Sequence, residues 1–193
     1  MQPRTQVETM ESLYEELAPD AVLWVVDIDR QRMFFCQAGR CVARTAVSTA
    51  ALGTGNGPGS NRTPLGWHRA ADIIGRDAPL GQRFVSRQPV GEPLQHFTGG
   101  SGDEILSRIV LLEGLVPGLN HNSLSRHIYI HGTRQEERLG TPCSHGCIRV
   151  QNQTLADWID RLGPVLPHVW IGGITGSDSP RTTDPAAAAR PCR

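Results

Sequence analysis

His131-Gly132-Thr133 … Ser144-His145-Gly146-Cys147-Ile148-Arg149-Val150 sets a histidine upstream of a cysteine in one short block, with glycine directly before the cysteine. A thiol is a good nucleophile only as thiolate, so a cysteine enzyme needs a base or a positive field beside the sulfur. Glycine next to the cysteine lets a carbonyl approach the backbone and leaves consecutive N–H groups to face a developing oxyanion. The block therefore points to acyl transfer, with Cys147 as nucleophile. His131, whose ring titrates near neutrality, is the candidate general base. The backbone N–H groups of His145, Gly146 and Cys147 are the candidate oxyanion donors. Arg149 either meets a substrate carboxylate or braces the cysteine loop, and Ser144 is a further candidate substrate contact. Tyr129, two residues before His131, shares its strand face and either lines a cleft or packs.

A metal reading competes for the same residues. His131, Cys143, His145 and Cys147 are all zinc-ligand types, and an extended segment would put Cys143, His145 and Cys147 on one side. That would make the chain a zinc-stabilised β-module that binds peptide without turnover. The spacing C-x-H-x-C matches none of the common zinc pairs, so the acyl-transfer reading leads, and it calls for no metal and no cofactor.

Outward from the block, the chain reads as short strands. Val22–Asp27, Arg32–Gln37 and Cys41–Ser48 are runs rich in β-branched and aromatic residues, separated by polar or glycine turns. Trp67–Ile74, Ile105–Glu113 and His127–His131 continue the pattern, and the last delivers His131 at its end. Residues 53–60 form a glycine-rich surface loop, and residues 75–104 a long excursion of the kind that is either a functional lid or poorly ordered. Leu155, Trp158, Ile159 and Leu162 fall on one helical face, with Asn152 as N-cap and Gly163-Pro164 as the stop. Val165–Ile171 closes with a strand. The expected fold is mainly β, a sandwich or partly open barrel with one or two short helices. Residues 1–20 read as an acidic arm with room for one short helix, 21–173 as the catalytic domain, and 174–193 as a disordered tail.

The block, together with Thr63-Pro64-Leu65-Gly66-Trp67 upstream, resembles the signature of the L,D-transpeptidase catalytic domain, the YkuD-like family. The resemblance covers roughly residues 21–173. It implies a β-sandwich-like domain with the cysteine beside a cleft. It also implies a backbone carbonyl, at Gly132, orienting the His131 ring. The implied substrates are peptidoglycan stem peptides or muropeptides. Cys147 would attack the carbonyl of the third, diamino-acid residue of a tetrapeptide and expel the terminal D-alanine. The thioester then passes to water, as in an L,D-carboxypeptidase of murein recycling, or to an amine, as in a cell-wall cross-linking transpeptidase.

Composition narrows the field. The formal net charge is zero, without the basic excess of a nucleic-acid binder. All 19 basic side chains are arginine, which removes lysine Schiff bases, the P-loop and a Ser-x-x-Lys dyad. No apolar run is long enough to span a bilayer, so no membrane insertion is expected. The acidic N-terminus lacks the pattern of a secretory signal, and five cysteines are an odd number for a disulfide framework. Together they make the cytoplasm the expected compartment, or the periplasm for a piece of a longer chain, and hydrolysis of soluble muropeptides the expected outcome.

Overall fold

The computed structural model describes residues 17–174, apart from residues 19 and 101. The expected N-terminal helix and the tail after residue 174 lie outside the described residues. The strands are β1 (Val22–Asp27), β2 (Arg32–Gln37), β3 (Arg40–Ser48), β4 (Gly66–Ile74), β5 (Arg83–Val85), β6 (Gln88–Val90), β7 (Ile105–Gly114), β8 (Tyr129–Thr133), β9 (Ile148–Val150) and β10 (His168–Gly172). In space they run β4-β10-β1-β2-β3-β9-β8-β7, and β4 also pairs with β7, so eight strands close a ring. The mainly β expectation holds, and the β4–β7 ladder shuts the side that a partly open barrel would leave free.

β1 shows why the ring holds. Its apolar residues are buried on both faces: Val22, Trp24 and Val26 point inward, while Leu23 and Val25 join an outer cluster with Phe34 and Trp170. Helix α1 (Asn152–Leu162) supplies the inward plug with Leu155, Trp158, Ile159 and Leu162. Trp158 meets Trp24 and Phe35 edge-on, with ring centroids 5.8 and 5.4 Å apart. Truncating an aromatic at such a position typically costs about 3–5 kcal/mol. Trp67 stacks edge-on against Trp170 in the outer cluster.

Four local expectations are corrected. Asn152 is the first helical residue, and Gln151 takes the cap position without a side-chain bond to a helix N–H, its Oε1 accepting from Thr154 Oγ1 at 2.6 Å instead. The Asn152 amide turns inward instead: Nδ2 donates to Thr133 O and Glu136 Oε1, and Oδ1 accepts from Ser107 Oγ, each at 2.7 Å. The last strand starts at His168, because Gly163, Pro164 and Pro167 cannot enter a ladder early. The excursion over residues 75–104 contains the hairpin β5–β6, which extends the sheet from β7. Finally, the cysteines are not all free. Cys36 and Cys41 form a disulfide across the β2–β3 pair, where the register sets them opposite each other.

Candidate active site

β8 and β9 run parallel, with Ile130 opposite Ile148 and His131 opposite Arg149. Side chains alternate along strands, so the two faces of this wall separate by chemistry. Ile130, Ile148 and Val150 point into the ring. Tyr129, His131, Cys147 and Arg149 share the outer face. There Cys147 and Tyr129 pack with Phe84 of β5 and with Ile109 and Leu111 of β7. Thus the excursion lies over the reactive face, and β7 forms its floor.

The cysteine loop is held from several sides. The Thr63 hydroxyl donates to Gly146 O at 2.9 Å, which gives the upstream Thr-Pro element its place in the site. Ala51 N–H donates to Ser144 O at 3.0 Å, while the Cys143 and Ser144 N–H groups both reach Thr49 O at 2.9 Å. Gly146 takes φ +129°, a conformation that a side chain would strain. Gly132 is needed for a different reason: a Cβ there would collide with Asn152 Oδ1 and lie 2.6 Å from Leu106 O.

His131 is 1% exposed. Its Nδ1 lies 2.7 Å from Gly132 O, and its Nε2 has no hydrogen-bond partner. Asp103 Oδ1 stands 3.9 Å from that nitrogen. Burial pushes the imidazole below its ordinary pKa, and Asp103 and the Gly132 carbonyl oppose that shift. Burial pushes the Cys147 thiol up to about 12, against the pull of the Tyr129 backbone, Arg149 and Arg126. At neutral pH the resting pair is therefore neutral thiol and neutral imidazole. The Cys147 thiol meanwhile donates to His127 O at 3.4 Å.

Asp103, which the sequence reading did not single out, organises the rest. It accepts from Arg149 Nε at 2.7 Å and from His145 N–H at 3.1 Å, and its Oδ2 lies 3.3 Å from His145 Nδ1. Burial alone would raise its carboxyl, yet His131, Arg149 and the His145 N–H together hold it below the usual value. Arg149, 2% exposed, donates its second nitrogen to Gln135 Oε1 at 2.7 Å and to Cys143 Sγ at 3.3 Å. Of its two candidate roles the structure therefore gives it the bracing one.

Other candidates are also corrected. The His145 and Gly146 N–H groups, expected to face an oxyanion, are engaged with Asp103 and with Ser144 Oγ respectively. Cys147 N–H is the remaining member of that trio. Ser144 is buried and donates to Cys147 O at 2.6 Å, so its hydroxyl shapes the turn rather than meeting substrate. Tyr129 is buried against the excursion, and burial raises its phenol pKa. The zinc reading fails on geometry. Cys143 faces Ser48 Oγ and the Arg149 guanidinium, His145 is 68% exposed, and no three or more metal-ligating side chains converge among the described residues.

Residues 21–171 match the sequence profile of the L,D-transpeptidase catalytic domain, YkuD. The chain belongs to that family. Its fold is similar to an L,D-transpeptidase from Mycobacterium smegmatis, at 18% identity and a TM-score of 0.50, covering 79% of this chain and 58% of that one. It is similar too to an L,D-transpeptidase from Xylanimonas cellulosilytica, at 18% identity and a TM-score of 0.50, covering 80% and 61%. The chain thus spans less than two thirds of the structures it matches. No curated protein matches its sequence. Among the described residues no helix is long and apolar enough to cross a membrane.

Proposed function

We propose that this L,D-transpeptidase family domain acylates Cys147 with a peptidoglycan tetrapeptide stem and releases terminal D-alanine. The observation that carries the reading is the outer face of β8–β9. Strand alternation sets Cys147 on the same face as His131, with one nitrogen of the histidine fixed by Gly132 O and the other unpartnered. As Sγ attacks the carbonyl of the third residue, His131 Nε2 takes the thiol proton. The imidazolium so formed lies within ion-pair reach of Asp103. When the tetrahedral adduct collapses, the C–N bond breaks and His131 returns the proton to the leaving amine of D-alanine. A thioester remains on Cys147. In the second half the same base takes a proton from the acceptor.

The acceptor follows from the compartment. Unpaired cysteines were one of two supports for cytoplasmic hydrolysis, and the Cys36–Cys41 disulfide removes it. Disulfides persist mainly in oxidising compartments outside the cytosol, where assembled wall offers amine acceptors. The disulfide therefore favours a cross-linking enzyme of the envelope over an L,D-carboxypeptidase of murein recycling. Incubating the protein with a disaccharide-tetrapeptide and reading the products by mass spectrometry tests both steps. D-Alanine loss with dimer supports cross-linking, loss without dimer supports hydrolysis, and no change sinks the enzyme reading. Cys147→Ala is expected to abolish alanine release, whereas Cys143→Ala is expected to retain it. Cell fractionation tests the compartment independently.

A further inference from the structure

Two arginines act on the Cys147 segment, and they differ in what neutralises them. Arg149 is buried against the Asp103 carboxylate. Arg126, on the loop before β8, rests on neutral oxygens alone. Its Nη1 donates to Gly55 O at 3.1 Å, and its Nη2 to Ser60 Oγ at 3.2 Å and Arg62 O at 2.8 Å. Among the described residues no carboxylate lies within ion-pair distance of it. A guanidinium has five N–H donors, so Nε–H and one Nη1–H are left over. The charge is thus fixed in place, half-exposed and unspent.

Its position is next to the chemistry. His127 O, one residue on, accepts the Cys147 thiol at 3.4 Å. Arg62 O, which Arg126 holds, lies 3.5 Å from where a Cβ on Gly146 would stand. The Arg126 charge also draws the Cys147 thiol downward in pKa, which agrees with that proximity.

We propose that Arg126 binds a carboxylate of the donor stem and so sets which stems are acylated. This rests on the acyl-transfer reading above. The stem has two carboxylates near the scissile bond: the terminal one on the departing D-alanine, and one on the side chain of a diamino-diacid third residue. Arginine suits either, because its fork matches a carboxylate and its charge is never lost to titration.

The test uses the full chain and three tetrapeptide donors: both carboxylates free, the terminal one amidated, and the third-residue one amidated. Release of alanine or alaninamide is followed by mass spectrometry as kcat/KM. The wild type is expected to lose roughly tenfold or more on one amidated donor, which identifies the carboxylate bound. Arg126→Gln is expected to lose a similar factor on the free donor and to treat that donor and its amide alike. Arg126→Lys should recover part of the preference. Loosening the glycine-rich loop would lower all three rates together and keep their ratios. Unchanged ratios in Arg126→Gln, or a wild type indifferent to both amides, would overturn the proposal while leaving acyl transfer standing. A folded wild type that releases nothing from any donor brings down the acyl-transfer reading, and this inference with it.

Discussion

His68 on β4 and His131 on β8 are both buried, and each directs Nδ1 at a backbone carbonyl, Gly66 O at 2.9 Å and Gly132 O at 2.7 Å. Burial lowers both pKa values, that of His68 to about 4. They part at Nε2. In His68 that nitrogen meets Ser123 Oγ at 3.0 Å, and no carboxylate opposes the burial. In His131 it has no partner, and a carboxylate waits 3.9 Å away. A satisfied ring ties β4 to the loop before β8. An open nitrogen beside a carboxylate can accept a proton and have the resulting charge compensated. Depth of burial does not separate a structural histidine from a base; the second nitrogen does.

The sharpest way to break this comparison is to remove each ring in turn. His131→Ala is expected to lower kcat for alanine release by on the order of a hundredfold or more, because it removes the general base of the proposed acyl transfer. His68→Gln should leave kcat within a few-fold. His145→Ala should also stay active, since its backbone bond to Asp103 persists. If His68→Gln were the dead variant, the distinction drawn at Nε2 would be wrong.

Asp103→Asn probes the carboxylate itself. The anion favours the imidazolium, so its loss lowers the His131 pKa further. A base with a lower pKa stays neutral to lower pH, and the acid limb of kcat/KM should move down. A limb that stays in place, or moves up, would mean that Asp103 serves Arg149 alone.

The smallest effect on chemistry and the clearest on stability belongs to His68. The folded ring titrates at about 4 and the unfolded one near the ordinary histidine value of 6.5. Between those values the unfolded chain binds a proton that the folded chain refuses. Stability therefore falls as pH drops through the window and levels off below it, by on the order of 3 kcal/mol. His131 contributes in the same direction. Denaturant melts across that window should show a shallower slope for His68→Gln than for wild type. Equal slopes would mean that His68 does not titrate on unfolding as its burial requires.

Much of this was legible in the sequence where one force acted alone. β1 and β2 read correctly because apolar runs and their turn residues agree. The family was legible in the cysteine block because its residue types are rare in combination. Legibility failed where a residue answers to a partner distant in sequence. Asp103 sits in a stretch of glycine and serine, and only the β7–β8 and β8–β9 ladders bring it to His131 and Arg149. Asn152 looks like a cap, yet its bonds to Thr133 O, Glu136 and Ser107 draw its amide inward over the space that Gly132 leaves open. The β5–β6 hairpin turns on Ser86 and Arg87, at φ +49° and +67°, with no glycine to announce it. Cys36 and Cys41 offered a usable signal, two cysteines placed evenly about Ala38-Gly39 in a hairpin. Counting cysteines hid it.

The ring's seam has a consequence for how the chain is made. β10 lies between β1 and β4, so the last of the described strands to be synthesised is the one that joins the first of them to the fourth. Until His168–Gly172 arrives, both of those strands keep a raw edge, the kind that pairs readily with another chain. The other nine described strands must therefore be synthesised before the wall is sealed. Such long-range closure is slow, and the nascent domain is exposed to aggregation until it happens.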